Sequence, residues 1–150
     1  MVSILLNQNK MLNQSFNSIT KTHEETKILG MKFSKFISKG NIITLNGNLG
    51  SGKTTFMKGV LKGLNYKDEV TSPTYTLINE YNADYKIIHI DCYREPNIDR
   101  WLNIGLIDYF EKDNIIFIEW AENIKKILPN KTINLLFEIK SSNERLIKIL

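Results

Sequence analysis

At 150 residues the chain can bury one hydrophobic core, and we expect a single domain over residues 1–150. The net charge of +4 is modest and the lysines are spread along the chain, so charge alone does not indicate a nucleic-acid-binding protein. Cys92 is the single cysteine, which excludes an internal disulfide and fits a reducing cytoplasm. The apolar patch in Met1–Leu6 is too short for a signal peptide core or a membrane span. We therefore expect a cytoplasmic protein without membrane contact.

The N-terminal part of the chain predicts an edge strand and an amphipathic helix. The strand is expected at Met11–Asn17. Thr22 followed by Glu25 has the form of a capping box, in which Thr22 caps a helix and Glu25 reaches back to it. His23 would be a solvent-facing residue of the first turn. Gly40 is the expected helix stop, after apolar residues at helical spacing, namely Leu29, Phe33, Phe36 and Ile37.

The most informative motif is the phosphate-binding loop Gly47-Asn48-Leu49-Gly50-Ser51-Gly52-Lys53-Thr54. It fits the pattern G-x-x-x-x-G-K-[ST] at every fixed position, between a predicted strand, Asn41–Leu45, and a predicted helix, Thr55–Leu61. Glycines let successive backbone N–H groups point at a phosphate, next to the positive end of the helix. The motif predicts a nucleoside triphosphate, with Lys53 on its phosphates and the Thr54 hydroxyl on Mg²⁺. The predicted nucleotide-binding residues are Asn48, Leu49, Gly50, Ser51, Gly52, Lys53, Thr54 and Thr55.

A proline-centred segment, Val70–Leu77, follows the phosphate loop and its helix. Pro73 excludes a helix here and favours an extended backbone at Ser72. Two interpretations remain open for Ser72, Pro73 and Thr74. They form either a polar connector into the next strand, or a switch segment that senses the γ-phosphate or orders the attacking water.

The remaining elements predict an α/β fold. Its class is a three-layer sandwich of the P-loop NTPase type, with a central mainly parallel sheet and a C-terminal β-hairpin. The apolar run Ile115–Glu119 is typical of a buried parallel strand. The other predicted elements are a strand pair (Leu77–Tyr81 and Lys86–Asp91), two short helices (Ile104–Phe110 and Asn123–Leu128) and a final hairpin (Thr132–Ile139 and Arg145–Leu150).

Two acidic residues at strand ends are candidates for the catalytic half of the site. A phosphate loop works with an acid at the end of a neighbouring strand, which holds Mg²⁺ directly or through water. Glu119 ends the most apolar strand and is assigned to Mg²⁺ with Thr54. Asp91 ends the strand before it and is assigned to the attacking water or to the water shell of the metal. Asp91 and the phosphate-loop lysine, Lys53, are the predicted catalytic residues.

Four sequence blocks resemble the TsaE (also called YjeE) family, small bacterial ATPases of tRNA threonylcarbamoyladenosine biosynthesis. The resemblance runs from about Thr22 to Glu122. One departure is Asn48, where the family more often has Asp. The blocks are the phosphate loop through Phe56, Thr71-Ser72-Pro73-Thr74-Tyr75-Thr76-Leu77, His89-Ile90-Asp91-Cys92-Tyr93-Arg94 and Ile118-Glu119-Trp120-Ala121-Glu122.

The resemblance implies an Mg²⁺-dependent ATPase that acts with the TsaB–TsaD pair, which installs threonylcarbamoyl on A37 of tRNA. In that family ATP hydrolysis is thought to reset the complex between turnovers, so that tRNA is met only through the complex. The family pattern also implies that Thr54 and Glu119 ligate Mg²⁺, that Lys53 binds phosphate and that Asp91 is needed for hydrolysis. Ser72-Pro73-Thr74 would be the switch segment, and Trp120 would lie near the nucleotide.

Three other functions compete with this one. A GTPase is disfavoured because Asn130-Lys131-Thr132-Ile133 has Ile where the guanine-reading motif needs Asp. A small-molecule kinase usually needs a lid with arginines, and this chain has three arginines in 150 residues. Arg94 is nevertheless a candidate positive charge for the transition state. The third alternative is a nucleotide-dependent binding subunit with little hydrolysis of its own.

Overall fold

The computed structural model describes residues 16–73, 75–111 and 113–150, so the expected strand at Met11–Asn17 lies almost wholly outside the described residues. The strands are β1 (Asn17–Thr20), β2 (Ile42–Asn46), β3 (Ile78–Asn82), β4 (Lys86–Asp91), β5 (Ile115–Glu119), β6 (Ile133–Ile139) and β7 (Arg145–Ile149). The helices are α1 (His23–Phe33), α2 (Lys53–Gly63), α3 (Ile98–Asn103), α4 (Leu106–Glu111) and a 3-10 helix (Ala121–Ile127).

The seven strands form one sheet in the order β1-β7-β6-β2-β5-β4-β3. The four central strands, β6, β2, β5 and β4, run parallel to one another. The outer strands pair antiparallel, as β3 with β4, β6 with β7 and β1 with β7. The α/β class and the C-terminal hairpin are confirmed, and the parallel arrangement holds for the centre of the sheet. Parallel strands end at the same edge, so β2, β4 and β5 bring their C-terminal residues together.

Side-chain alternation along the central strands divides the core into two layers. On one face, residues such as Ile43, Leu45 and Phe117 pack against α1 and α2. On the other face, Ile116 and Ile118 pack against the short helices around Trp101 and Leu106. The expected three-layer arrangement, helices on both faces of a sheet, is therefore present.

Helices α1 and α2 touch at the backbone, because glycines remove the side chains between them. A Cβ on Gly59 would lie 1.9 Å from the carbonyl oxygen of Lys27, and one on Gly30 would lie 2.2 Å from that of Phe56. Both helices begin beside the phosphate loop, since Thr22 and Thr55 border the same cavity. The close packing of α1 thus fixes the position of the phosphate-loop helix.

The cap of α1 is present with one difference from the expected capping box. The Glu25 N–H donates to the Thr22 hydroxyl at 3.0 Å, as expected. The Glu25 carboxylate, however, accepts from the Lys21 N–H at 2.6 Å, one residue before Thr22. The reciprocal contact therefore stabilises the approach to the helix and not the cap residue itself.

The bounds of two helices differ from the sequence prediction. Helix α1 stops at Phe33, where the Ser34 hydroxyl donates to the Met31 carbonyl, whereas Gly40 (φ +84°) serves the turn into β2. The single helix expected over Ile104–Phe110 is interrupted by Gly105, which adopts φ +79° between α3 and α4. A left-handed residue explains only the second difference, because Ser34 after α1 keeps a right-handed helical conformation. Within the described part of the chain, no helix is long and apolar enough to cross a membrane.

Candidate active site

The phosphate loop joins the end of β2 to the start of α2, as the motif predicts. Gly50 and Gly52 have φ values of +76° and +101°, a left-handed conformation that favours glycine. The Ser51 N–H donates to the Asn48 carbonyl at 3.2 Å, which closes the turn. The Nε of Arg145, on β7, donates to the Gly50 carbonyl at 3.1 Å. The loop is thus held from within and from the C-terminal hairpin.

The Lys53 side chain is buried and bends back over the loop. Its amine donates to the carbonyls of Gly47 and Asn48, the latter at 3.1 Å, and lies 3.9 Å from Oε2 of Glu119. Burial lowers the pKa of Lys53 below its usual value of 10.5, and the carboxylates of Glu119 and Asp91 oppose that shift. A phosphate placed beside this amine would favour its charged form in the same way as the carboxylates do.

The two predicted acids lie side by side at the ends of β4 and β5. Asp91 is the register partner of Glu119, and both side chains are buried. Oδ1 of Asp91 accepts from the Tyr93 N–H at 2.9 Å. Oε1 of Glu119 lies 2.9 Å from Nε2 of His89, a buried residue of β4. The Asp91 carboxylate is therefore oriented by the Tyr93 N–H, and the Glu119 carboxylate by the His89 ring.

A cavity of about 410 Å³ contains most of the predicted site residues. From the loop and the start of α2 it is lined by Leu49, Gly50, Gly52, Lys53, Thr54 and Thr55. From the sheet edge and the connecting segments it is lined by Ser72, Asp91, Glu119 and Trp120. Lysine, hydroxyl and carboxylate groups thus converge on one concave site, which is the geometry expected of a phosphate-binding centre.

Two of the predicted loop residues line a different hollow. Asn48 and Ser51 border a cavity of about 380 Å³ next to Phe137 and its neighbours on β6. The Ser51 hydroxyl is buried and finds no hydrogen-bond partner among the described residues. The backbone of Asn48 and Ser51 belongs to the phosphate loop, whereas both residues border a hollow between that loop and β6.

The segment predicted as a switch lies at the cavity wall through Ser72. Thr74 lies outside the described residues, and Pro73 accepts a hydrogen bond from the Leu77 N–H at 2.7 Å. The segment is tied to β3 because the Tyr81 hydroxyl donates to the Thr71 carbonyl at 2.8 Å. Leu77 has φ +65°, a conformation uncommon for a non-glycine residue. The left-handed conformation of Leu77 thus marks the junction between this segment and β3.

An aromatic pair, Trp120 and Tyr93, lines the cavity next to Glu119. Trp120 follows Glu119 directly and has φ +56°, again a left-handed conformation. Its ring lies 5.6 Å from the Lys53 amine and 4.9 Å from the Tyr93 ring. Backbone strain of this kind is found where the position of a side chain matters for function. Trp120 therefore lies beside Lys53, and its place near a nucleotide stays a prediction.

Two residues of the cavity could hold a magnesium ion together with a substrate. No cluster of three metal-binding side chains occurs within residues 16–73, 75–111 and 113–150. Mg²⁺ typically takes one or two protein oxygens together with substrate phosphates and waters. The Thr54 hydroxyl and the Glu119 carboxylate, which line the same cavity, fit that requirement.

Sequence reasoning missed several residues that border the site. In the sequence, His89 was noted only as the first residue of the block that ends at Arg94. It lies two residues before Asp91, so the side chains of His89 and Asp91 lie on the same face of β4. His23 is exposed, as predicted, yet it lines the large cavity and the smaller one beside it. Tyr75 and Tyr93 also line the large cavity. For these aromatic residues, no local pattern separates a site residue from an ordinary surface residue.

A parallel-centred sheet, a phosphate loop between β2 and α2, and acids at two neighbouring strand ends define an α/β protein of the P-loop NTPase type. The family model described as "Threonylcarbamoyl adenosine biosynthesis protein TsaE" matches residues 20–147. The chain belongs to the TsaE family.

Individual relatives agree with the family match. The chain is 37% identical over 127 residues to the tRNA threonylcarbamoyladenosine biosynthesis protein TsaE of Bacillus subtilis, covering 84% of this chain and 79% of the relative. It is 42% identical over 110 residues to the protein of that name from Haemophilus influenzae, covering 69% and 70%. The crystal structure of Bacillus subtilis YdiB matches with a TM-score of 0.77 at 33% identity, covering 89% and 82%. The predicted family and fold class are thereby confirmed.

Proposed function

We propose that this chain binds and hydrolyses ATP with Mg²⁺. The observation that carries the proposal is the register pair Asp91 and Glu119, two buried carboxylates that face the cavity beside Lys53. One lysine does not balance the charge of two buried carboxylates, and a divalent cation bound between them and the phosphates would supply further positive charge. Burial of the two carboxylates costs free energy in the absence of a ligand, and the same carboxylates would bind the cation when the ligand is present.

In the proposed complex the loop N–H groups and Lys53 bind the β and γ phosphates, while Thr54 and Glu119 hold Mg²⁺. The metal would neutralise charge that develops on the phosphate oxygens. Asp91 positions the attacking water, because its carboxylate is fixed at the end of β4 by the Tyr93 N–H. The Ser72-Pro73-Thr74 segment would sense the γ-phosphate, since Ser72 lines the same cavity as Lys53 and Thr54.

We propose that the nucleoside lies in a second cavity beside the loop. A smaller cavity, of about 130 Å³, is bordered by Gly50, Gly52 and Thr55 and by the start of α1. Phosphates bound at the loop would leave the ribose and base pointing into it, between His23 and the tip of the C-terminal hairpin at Asn143. Both cavities share Gly50, Gly52 and Thr55, so one extended ligand can occupy them together.

The proposed biological role is in tRNA threonylcarbamoyladenosine biosynthesis, because the family model and the relatives carry that name. Here ATP hydrolysis resets the TsaB–TsaD complex between turnovers, while the partner performs the transfer to tRNA. A site built for phosphate and metal, with exposed Leu49, Tyr75 and Tyr93 at its rim, supports a nucleotide-gated contact with another protein.

The competing functions make different products. A small-molecule kinase would transfer the γ-phosphoryl group to an acceptor, and a binding subunit would release almost no phosphate. The test is the release of inorganic phosphate from ATP and Mg²⁺, with product analysis. Lys53→Ala should abolish it, whereas Lys58→Ala, at an exposed position of α2, is a matched control. Phosphate found on a small acceptor, or no hydrolysis with or without TsaB–TsaD, would overturn the ATPase proposal.

A further inference from the structure

Arg94 is a second cation at the cavity, and its surroundings differ from those of the other arginines. Its guanidinium carbon lies 4.1 Å from the centre of the Tyr75 ring, and both residues line the cavity. Arg100 pairs with Glu95 at 2.6 Å, and Arg145 donates to backbone carbonyls around Ser141. Within the described residues Arg94 forms no ion pair with a carboxylate. Its charge is therefore available to a ligand.

We infer that Arg94 is a catalytic residue, whose guanidinium leaves the Tyr75 ring and binds the γ-phosphoryl group during ATP hydrolysis. The inference rests on the proposed ATPase function. A stacking contact between two exposed side chains is weak, whereas a guanidinium binds phosphate through two charge-assisted hydrogen bonds. Tyr75 thus holds Arg94 beside the cavity until a triphosphate arrives.

The chemistry of hydrolysis explains why a second cation is needed. A water oxygen attacks the γ-phosphorus, and the bond from that phosphorus to the bridging oxygen breaks, with the electron pair staying on ADP. One proton of the water remains on the phosphate and the other is released to solvent. Negative charge is spread over the γ-oxygens and the leaving oxygen during this step. Lys53 is anchored in the loop, whereas Arg94 comes from a different element, three residues after Asp91 at the end of β4.

The position of Arg94 suits this role in two ways. It lies three residues after Asp91, the proposed water-positioning residue, so both come from the same turn at the end of β4. Its stacking partner Tyr75 directly follows the proposed switch segment Ser72-Pro73-Thr74 and lines the same cavity. Because Tyr75 and Arg94 line the same cavity, a bound triphosphate would compete with the Tyr75 ring for the guanidinium.

The test compares Arg94→Ala and Arg94→Lys with wild type in single-turnover hydrolysis, with protein in excess over ATP. We expect Arg94→Ala to lower the rate by about 10²- to 10³-fold with little change in ADP affinity. Lysine should not restore the rate, because it lacks the two-pronged geometry of a guanidinium. Arg100→Ala, at an exposed surface arginine, is the matched control and should hydrolyse like wild type.

A second measurement uses ADP with aluminium fluoride, which imitates the transferred phosphoryl group. Wild type and Arg100→Ala should retain ADP more tightly when aluminium fluoride is present, and Arg94→Ala should not. Wild-type hydrolysis together with an unchanged rate in Arg94→Ala would overturn this inference and leave the ATPase proposal standing. A wild-type protein that hydrolyses no ATP would overturn the ATPase proposal itself, and the inference with it.

Discussion

Nε2 of His89 lies 2.9 Å from Oε1 of Glu119, and both side chains are buried. The other carboxylate oxygen, Oε2, lies 3.9 Å from the Lys53 amine. The contact with His89 therefore sets which oxygen faces the lysine and the proposed metal. Nε2 is the ring nitrogen that contacts Glu119, whereas Nδ1 of His89 has no hydrogen-bond partner within the described part of the chain. This makes His89 a positioning residue for the proposed Mg²⁺ ligand.

Replacing His89 should weaken the metal site without removing a metal ligand. We expect His89→Leu to lower hydrolysis by about 10- to 100-fold and to raise the Mg²⁺ concentration needed for half-maximal rate. His89→Gln keeps an N–H near the position of Nε2 and should recover part of the loss. The measurement is the rate as a function of Mg²⁺ concentration. An unchanged Mg²⁺ dependence in His89→Leu would show that Glu119 is not positioned by this contact.

The two acids should have separable effects. Asp91→Asn removes the charge proposed to position the water, and we expect hydrolysis to fall by about 10²-fold or more with Mg²⁺–ATP binding retained. Glu119→Gln removes the proposed metal ligand, so it should also raise the Mg²⁺ requirement. Rates and nucleotide affinities measured together at several Mg²⁺ concentrations distinguish the two. If Asp91→Asn keeps the wild-type rate, its catalytic role is wrong.

Trp120 should report nucleotide binding, because its ring lies 5.6 Å from the Lys53 amine. A phosphate that binds this amine changes the charge beside the indole. We expect ATP with Mg²⁺ to change the tryptophan fluorescence of wild type and to leave that of Trp120→Phe unchanged. Trp101, the other tryptophan, is fully buried on the opposite face of the sheet and remains as an internal reference. A nucleotide response that persists in Trp120→Phe would contradict this placement.

The glycine contact between α1 and α2 predicts a large effect of one methyl group. A Cβ on Gly59 would lie 1.9 Å from the Lys27 carbonyl oxygen, so Gly59→Ala must push the helices apart. We expect a loss of about 1–3 kcal/mol, although alanine favours a helix more than glycine does. Thermal unfolding of Gly59→Ala and of Lys58→Ala, its exposed neighbour, provides the comparison. A melting temperature of Gly59→Ala at or above that of wild type would contradict the close packing.

Much of this arrangement could be predicted from the sequence, because the decisive patterns are local. The loop motif indicated the junction of β2 and α2, and the apolar run before Glu119 indicated a buried parallel strand. Side-chain alternation could also have placed His89 on the face of Asp91. The contact of Arg94 with Tyr75 could not be predicted, since it joins two segments whose meeting depends on the whole sheet. The same holds for the left-handed backbone of Trp120, which no residue preference indicates.

We propose that ATP hydrolysis at this site resets a partner, and reconstituted tRNA modification tests this proposal most directly. The reaction would contain TsaB, TsaD, tRNA, ATP and the substrates of threonylcarbamoyl transfer, with either wild type or Lys53→Ala. Our account predicts many rounds of modification per complex with wild type, and about one round with Lys53→Ala. Lys58→Ala should behave like wild type. Equal multiple turnover with Lys53→Ala would contradict the account.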